Sequence, residues 1–276
     1  MKRYLKLVNF EFNRFLKLYL VLIGTIVFVQ MAGAIIESRK YVNLADKLMY
    51  EELLSKGQFL EQYGYMTFFK IFETAWFFGP IMLAVATLII YVFFIWYRDW
   101  FGKNTFIYRL LMLPTERFNV YLAKATTILL FVLGLVALQL VLIPMEIQVM
   151  QWIVPDEFRM DLSVKQITSS NGLIVLFPIT FTEFFLYYGG GMVAVFIVFT
   201  AIMFERSFRL KGIFIGILYI VASLFIFIAP ILVDAFLLGN FFYPAEIFFI
   251  EVGMGLIVLI GTIWTGDYLL KNKIRV

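Results

Sequence analysis

The chain of 276 residues contains no cysteine and no histidine. Their absence excludes a disulfide framework, a thiol nucleophile, an imidazole base, and zinc, haem or iron–sulfur centres built on these ligands. Carboxylates, amines and hydroxyls remain as the reactive side chains. The sequence also lacks the Walker A pattern Gly-x-x-x-x-Gly-Lys-Ser/Thr, so the chain cannot bind ATP by that route.

Charge is missing from six long stretches of the chain. An apolar helix needs about 20 residues to cross roughly 30 Å of hydrocarbon, and its backbone groups must be satisfied within the helix. The last stretch is short, but it becomes a full span if it begins near Ile247 and carries Glu251 inside. The six that we assign to spans are 18–36, 74–97, 125–145, 184–204, 212–233 and 252–266, none of which contains Asp, Glu, Lys or Arg.

Composition agrees with this pattern, because 63% of the residues are hydrophobic and the mean hydropathy is +0.92. Such values lie far outside the soluble average of about 45–50% apolar residues. We therefore expect an all-α polytopic membrane protein, a single transmembrane domain over 1–276 with no soluble segment long enough for a separate catalytic domain. The predicted spans are 18–36, 74–97, 120–145, 184–204, 212–233 and 247–266.

Positive charge is distributed unevenly between the two sides that these spans define. One side, which includes both termini, holds 16 of the 23 Lys and Arg residues, and the opposite side holds 7. The positive-inside bias therefore predicts that both termini are cytoplasmic. The sequence pI of about 9.1 reflects this topology and contact with anionic lipid, and does not indicate nucleic-acid binding.

The N-terminal stretch 1–17 has a helical amphipathic pattern. Its apolar side chains gather on one face of a 100° projection, with Lys and Asn opposite. This pattern predicts an interfacial helix on the inner leaflet, and the alternative is a basic flank that anchors span 1.

The first predicted inner loop, 98–119, carries the most specific local pattern. Residues 108–117 read YRLLMLPTER, and apolar residues at helical spacing precede Pro114. We expect a short helix on the cytoplasmic surface that ends at the proline. A plain amphipathic surface helix is the alternative.

These features together resemble the permease subunits of bacterial type-2 ABC exporters, including those linked to bacitracin-type resistance, lantibiotic immunity and peptide-toxin export. The resemblance covers the layout of nearly the whole chain, and its motif covers residues 103–124. It implies that the first inner loop carries a coupling helix, 104–113, that seats in a separate ATPase subunit. The ATPase-coupling residues implied in this way are Lys103, Asn104, Tyr108, Arg109, Leu110, Leu113 and Arg117.

The resemblance also implies the partners and the location of the chain. It implies two copies of an ABC ATPase, a second permease (a homodimer or a sister subunit), and a bacterial plasma membrane. This chain would bind no cofactor and would not itself be an enzyme, whereas ATP and Mg²⁺ would bind to the partner. Aromatic, apolar spans favour a hydrophobic or amphipathic cargo, such as a peptide toxin, an antimicrobial peptide or a lipid-like molecule.

The predicted outer loops are 37–73, 146–183 and 234–246. The segment 234–251 is similar to the re-entrant outer element of this exporter family, and a tight outer hairpin is the alternative. Four carboxylates at outer span boundaries could line an anionic substrate pathway, or could be ordinary residues of helix ends. They are Glu73, Glu183, Glu246 and Glu251.

Three other classes stay open on the sequence alone. A secondary transporter or channel should show inverted repeats or broken spans that carry charges. A membrane enzyme would need paired acids, a Ser/Lys pair or a metal cluster at membrane depth, and none is visible. A non-transporting sensor or assembly subunit is the third.

Overall fold

The computed structural model describes residues 2–51, 53–101, 106–112, 116–170, 173–239 and 241–274. About 85% of the protein is helical, and the described ranges contain no strand. Within them a single isolated bridge pairs Met66 with Arg159.

The prediction of an all-helical fold is confirmed, and six helices of the described chain are long and apolar enough to cross a membrane. The long helices are α1 (Lys2–Tyr50), α4 (Ala75–Trp100), α6 (Arg117–Ile153), α9 (Gly190–Phe208), α10 (Leu210–Phe236) and α11 (Pro244–Asn272). A short helix and one π-helical turn, 185–189, lead into α9. The short helices are α2 (Lys56–Tyr63), α3 (Phe68–Phe72), α5 (Phe106–Leu111), α7 (Val164–Thr168) and α8 (Phe181–Phe184).

Several helices run beyond the predicted spans. No break separates 1–17 from span 1, and α1 continues to Tyr50 into the predicted outer loop, because no proline interrupts this segment. Helix α6 passes Glu146 and ends at Ile153, two residues before Pro155, which disfavours helical backbone in the residue before it. Helix therefore continues over 37–50 and 146–153, into the predicted outer loops.

The predicted outer element at 234–246 contains no helix of its own in the described residues. Helix α10 extends to Phe236, and α11 starts at Pro244, where the missing proline N–H costs no helical hydrogen bond. A short connection therefore joins the two helices.

The chain divides into two compact units, which we describe separately. Unit 2 comprises Phe15–Leu88 and Phe131–Ile179. Its core packs Phe59, Met66, Phe68 and Ile71 against the buried faces of α1 and α6. At its surface, Lys56 Nζ lies 2.5 Å from Glu157 Oε2, and this ion pair lowers the pKa of the Glu157 carboxyl.

Unit 1 comprises Met1–Arg14, Ile89–Leu130 and Thr180–Val276. Its core is aromatic: the Trp96 and Tyr121 rings pack on Phe199 with centroids 5.5 and 5.6 Å away, and the Tyr121 hydroxyl donates to the Phe196 carbonyl at 3.1 Å. Helices α9 and α10 approach closely at Gly212 and Gly216, which face the backbone of Phe204 and Ala201. The GxxxG pattern thus joins two consecutive helices of the same chain.

Candidate functional site

Five charged side chains meet inside unit 1, and we call them the charge cluster: Glu11, Arg14, Arg98, Asp99 and Lys124. Lys124 is its centre and is fully buried. Its Nζ donates to Glu11 Oε1 at 2.7 Å, to Asp99 Oδ2 at 2.5 Å and to the Ile95 carbonyl at 2.8 Å. All three protons of the ammonium group are therefore used.

The two arginines supply the remaining partners of the acids. Arg98 donates to Glu11 Oε2 at 2.8 Å, and Arg14 donates to Asp99 Oδ1 at 2.6 Å. Glu11 and Asp99 are 2% and 0% exposed, so each carboxylate is buried with cations on both of its oxygens. Such geometry is what a buried ion pair needs to offset the loss of hydration.

The charge cluster joins three long helices, because its members come from α1, α4 and α6. With three cations and two carboxylates, it carries a formal charge of +1. Its acids are neutralised and shielded from water, which suits a structural joint better than acid–base chemistry. Within the described residues no group of three or more His, Cys, Asp or Glu side chains could hold a metal ion.

Helix α5 packs directly beside the charge cluster. Ile107, Leu110 and Leu111 are 0%, 4% and 5% exposed, which anchors one face of the helix in unit 1. The Arg14 guanidinium lies 5.1 Å from the centre of the Phe10 ring and 5.2 Å from that of Phe106, the first residue of α5. One arginine therefore connects the short helix to the buried ion pairs.

The opposite side of α5 is exposed, and we call it the α5 face: Tyr108, Arg109 and Met112. Tyr108 is 36% exposed and Met112 is 65% exposed. The Tyr108 ring also packs edge-on against Trp100 of α4. The face thus presents an aromatic ring, a cation and a thioether from a firmly packed helix.

The predicted coupling residues separate into three groups. Tyr108 and Arg109 are on the α5 face, whereas Lys103, Asn104 and Leu113 lie outside the described residues. Leu110 points inward, so the expectation that it contacts a partner does not fit: the hydrophobic effect buries it in its own chain. Arg117 donates to the Leu270 and Ile274 carbonyls at 2.9 and 3.0 Å, where it caps the end of α11.

A second cation lies among aromatic rings at the end of α4. The Arg206 guanidinium is 4.7 Å from the centre of the Tyr97 ring and 5.4 Å from that of Trp100. Its neighbour Glu205 accepts a hydrogen bond from the Tyr97 hydroxyl. These contacts hold the C-terminal ends of α4 and α9 together.

The four predicted pathway carboxylates do not all belong to the same unit. Glu73 belongs to unit 2 and is exposed, whereas the other three belong to unit 1. Glu183 and Glu246 accept hydrogen bonds from the backbone N–H of Thr180 and Tyr243, at 3.1 and 2.9 Å. Both close helix N-termini, as expected for ordinary residues of helix ends.

Glu251 lies within α11, as the sequence predicts, and is partly buried. Both carboxylate oxygens are inaccessible to solvent. An apolar cavity of about 310 Å³ lies between α10 and α11, lined by Pro230, Val233, Ile247, Ile250 and Met254, among others. Glu251 is not among its lining residues.

Sequence reasoning missed the charge cluster as a unit and missed Glu146, which is fully buried in unit 2. Charge counting assigned Glu11, Asp99 and Lys124 to the loops and flanks of the inner side. A usable signal existed. Asp99 lies two residues from an uncharged stretch and Lys124 directly flanks one, and in both places the helix continues beyond the stretch. Their partnership could not be predicted, because Glu11 and Lys124 are 113 positions apart.

In comparisons with known proteins, no family model, no curated protein and no solved structure matches this chain.

Proposed function

We propose that this protein is the membrane-spanning permease subunit of an ATP-driven exporter, and that α5 is the helix through which a separate ABC ATPase drives it. The observation that carries the proposal is the two-sided packing of α5. Its inner side is buried in unit 1 and connected to the charge cluster, and its outer side is the α5 face. A partner that moves α5 would move a helix joined to α1, α4 and α6.

The chemistry of the α5 face suits a protein partner. Tyr, Arg and Met are enriched where proteins dock, because they combine large contact area with adaptable polar ends. Arg109 on the exposed side adds the charge that steers an acidic groove into register.

The rest of the proposal follows from the charge distribution and from the resemblance to type-2 ABC exporter permeases. Both termini would be cytoplasmic in a bacterial plasma membrane, and two permeases, identical or sister chains, would assemble with two ATPase subunits that bind ATP and Mg²⁺. The cargo would be hydrophobic or amphipathic, because the exposed surfaces of the long helices are mostly apolar.

A secondary transporter is the second candidate, and one observation favours it. Glu146 is a buried carboxylate without a hydrogen-bond partner in the described chain, within a helix able to cross a membrane. Proton-coupled transporters use carboxylates at such positions. Association with an ATPase separates the two candidates.

A photo-crosslinking residue at position 108, introduced in the native host, tests the proposal. We expect a crosslink to a protein that contains a Walker A sequence, because Tyr108 is exposed on the α5 face. The matched control is position 264, since Trp264 is 70% exposed on an apolar helix face and should crosslink to no ATPase.

A charge reversal at Arg109 tests the same contact by affinity. Arg109→Glu should lower the amount of co-purified ATPase by about 10-fold or more, since opposite charges at an interface become like charges. Lys211→Glu reverses another exposed cation of unit 1 and should leave the yield unchanged. An ATPase that co-purifies equally with both variants, or a position-108 probe that captures no ATP-binding protein, contradicts the proposal.

A further inference from the structure

Among the buried carboxylates of the described chain, Glu146 of α6 alone has neither a cation nor a recorded hydrogen-bond donor. It is 0% exposed, and neither of its carboxylate oxygens has a hydrogen-bond partner within the described residues. Glu11 and Asp99 are buried as deeply, but two cations contact each of them. The surroundings of Glu146 therefore call for a separate explanation.

The ion pairs of unit 2 are all formed by other residues. They join Lys40 to Glu37, Lys47 to Glu51 and Lys56 to Glu157, while Arg159 pairs with two aspartates. The Lys70 ammonium donates instead to the Tyr63 and Gly64 carbonyls. No described cation of unit 2 is recorded in contact with Glu146.

The residues around Glu146 form the apolar core of unit 2. Its neighbours on α6, Ile143, Ile147 and Met150, belong to the same buried cluster as Ala34 and Tyr41 of α1. This environment has a low dielectric constant, in which an unpaired carboxylate anion is strongly destabilised. A carboxyl group in such a place remains stable if it takes up a proton and becomes neutral.

One buried hydroxyl lies in the same layer of the core. Gln30 of α1 and Gln139 of α6 exchange two hydrogen bonds, at 3.3 and 3.1 Å, and so mark one level at which the two helices meet. Ser38 lies about 12 Å beyond Gln30 along α1, and Glu146 lies about 10.5 Å beyond Gln139 along α6. The two residues are therefore at a similar level of the core. Ser38 is 0% exposed, and its Oγ also lacks a partner among the described residues.

We infer that Glu146 is a proton-binding site: in the folded protein it holds its proton as a neutral carboxylic acid, and the Ser38 hydroxyl accepts the hydrogen bond of that proton through one water molecule. The ligand of the site is the proton itself. One carboxylate and one hydroxyl give too few oxygen atoms for Ca²⁺ or Mg²⁺, which take six or more ligands. The inference is independent of whether an ATPase docks on the α5 face.

Infrared spectroscopy of the full chain in lipid nanodiscs at neutral pH tests this site. A protonated carboxyl has a C=O stretching band that ionised carboxylates lack. Glu146→Gln should remove a component of that band, because glutamine keeps the shape of the neutral acid without its carboxyl group. Glu157→Gln makes the same change at an exposed, ion-paired carboxylate of the same unit and should leave the band intact.

A protonated-carboxyl band that is identical in wild type and Glu146→Gln would overturn the inference, because Glu146 would then be ionised. If the glutamine variant does not fold, the same measurement can be made on Glu146→Met, whose side chain is similar in length and uncharged. Ser38→Ala should shift the frequency of the component that Glu146→Gln removes, since the acid loses its acceptor. An unshifted component would refute the role of Ser38.

Discussion

At the residue scale, the charge cluster is the most demanding feature of this protein. Burying an ion costs several kcal/mol even after the surroundings relax, and the cost is offset where every polar atom finds a partner. Lys124 meets that condition with three acceptors at 2.5 to 2.8 Å. Removing a single member leaves its partners buried without compensation.

Lys124→Met should therefore lower the free energy of unfolding by about 3–5 kcal/mol, the usual cost of breaking a buried pair from one side. Denaturant unfolding of the purified protein in detergent measures this loss. Lys271→Met removes an exposed lysine from an i,i+4 pair with Asp267 and should change stability little. Equal stabilities for the two variants would show that the cluster does not hold the helices together.

The pair of Lys56 and Glu157 predicts a pH dependence. The ion pair lowers the pKa of Glu157, so its contribution to stability is present above the unfolded-state pKa of about 4.3 and is lost as the pH falls through the folded-state pKa. Wild type should unfold at a higher temperature than Lys56→Met at about pH 7. Below the folded-state pKa the two midpoints should converge, and a constant gap would contradict the assignment.

Only some residues of the candidate site could be predicted from the sequence. Tyr108 and Arg109 were predicted to contact an ATPase, and both are exposed on the short helix. Leu110 was assigned to a partner surface, yet its helical spacing also fits burial in its own chain. Amphipathicity predicts that a helix has an apolar face, but not which protein covers that face.

At the element scale, the six spanning helices follow from uncharged stretches, and their ends do not. Charged residues such as Lys17, Arg98 and Glu146 appeared to mark boundaries, but α1, α4 and α6 continue through them. Helical hydrogen bonds are satisfied locally, so a helix stops at a breaker and not at a charge. Pro155 is such a breaker, and the α6 end near it could have been predicted.

The contact between α9 and α10 gives a prediction at this scale. A Cβ at Gly212 would lie 2.7 Å from the Phe204 carbonyl carbon, so Gly212→Ala must push the two helices apart. We expect a loss of about 1–3 kcal/mol in unfolding free energy, as for other overpacked contacts. Gly261→Ala makes the same change in α11, where no atom lies within 4 Å, and it should be neutral or slightly stabilising. Thermal unfolding of the two variants distinguishes these outcomes, and equal losses would contradict close packing at Gly212.

At the scale of the whole molecule, the distribution of positive charge predicts the orientation. The ends of α10 test it well, because Leu210 is 83% exposed and Leu237 is 78% exposed. The chain has no cysteine, so a single introduced thiol is labelled without background. In intact cells a membrane-impermeant maleimide should label Leu237→Cys, and it should label Leu210→Cys only after lysis. The reverse pattern would place the termini outside.

The partners of Lys124 also set a condition on how the protein is made. Glu11 leaves the ribosome with the start of α1, and Lys124 follows 113 residues later in α6. At usual synthesis rates this interval is roughly 6–20 s. During that time Glu11 has Arg14 on its own helix and, later, Arg98, but lacks the buried ammonium group. Insertion of α1 should therefore remain reversible until α6 has been synthesised. A chain truncated before Lys124 should consequently be a preferred substrate for membrane quality-control proteases.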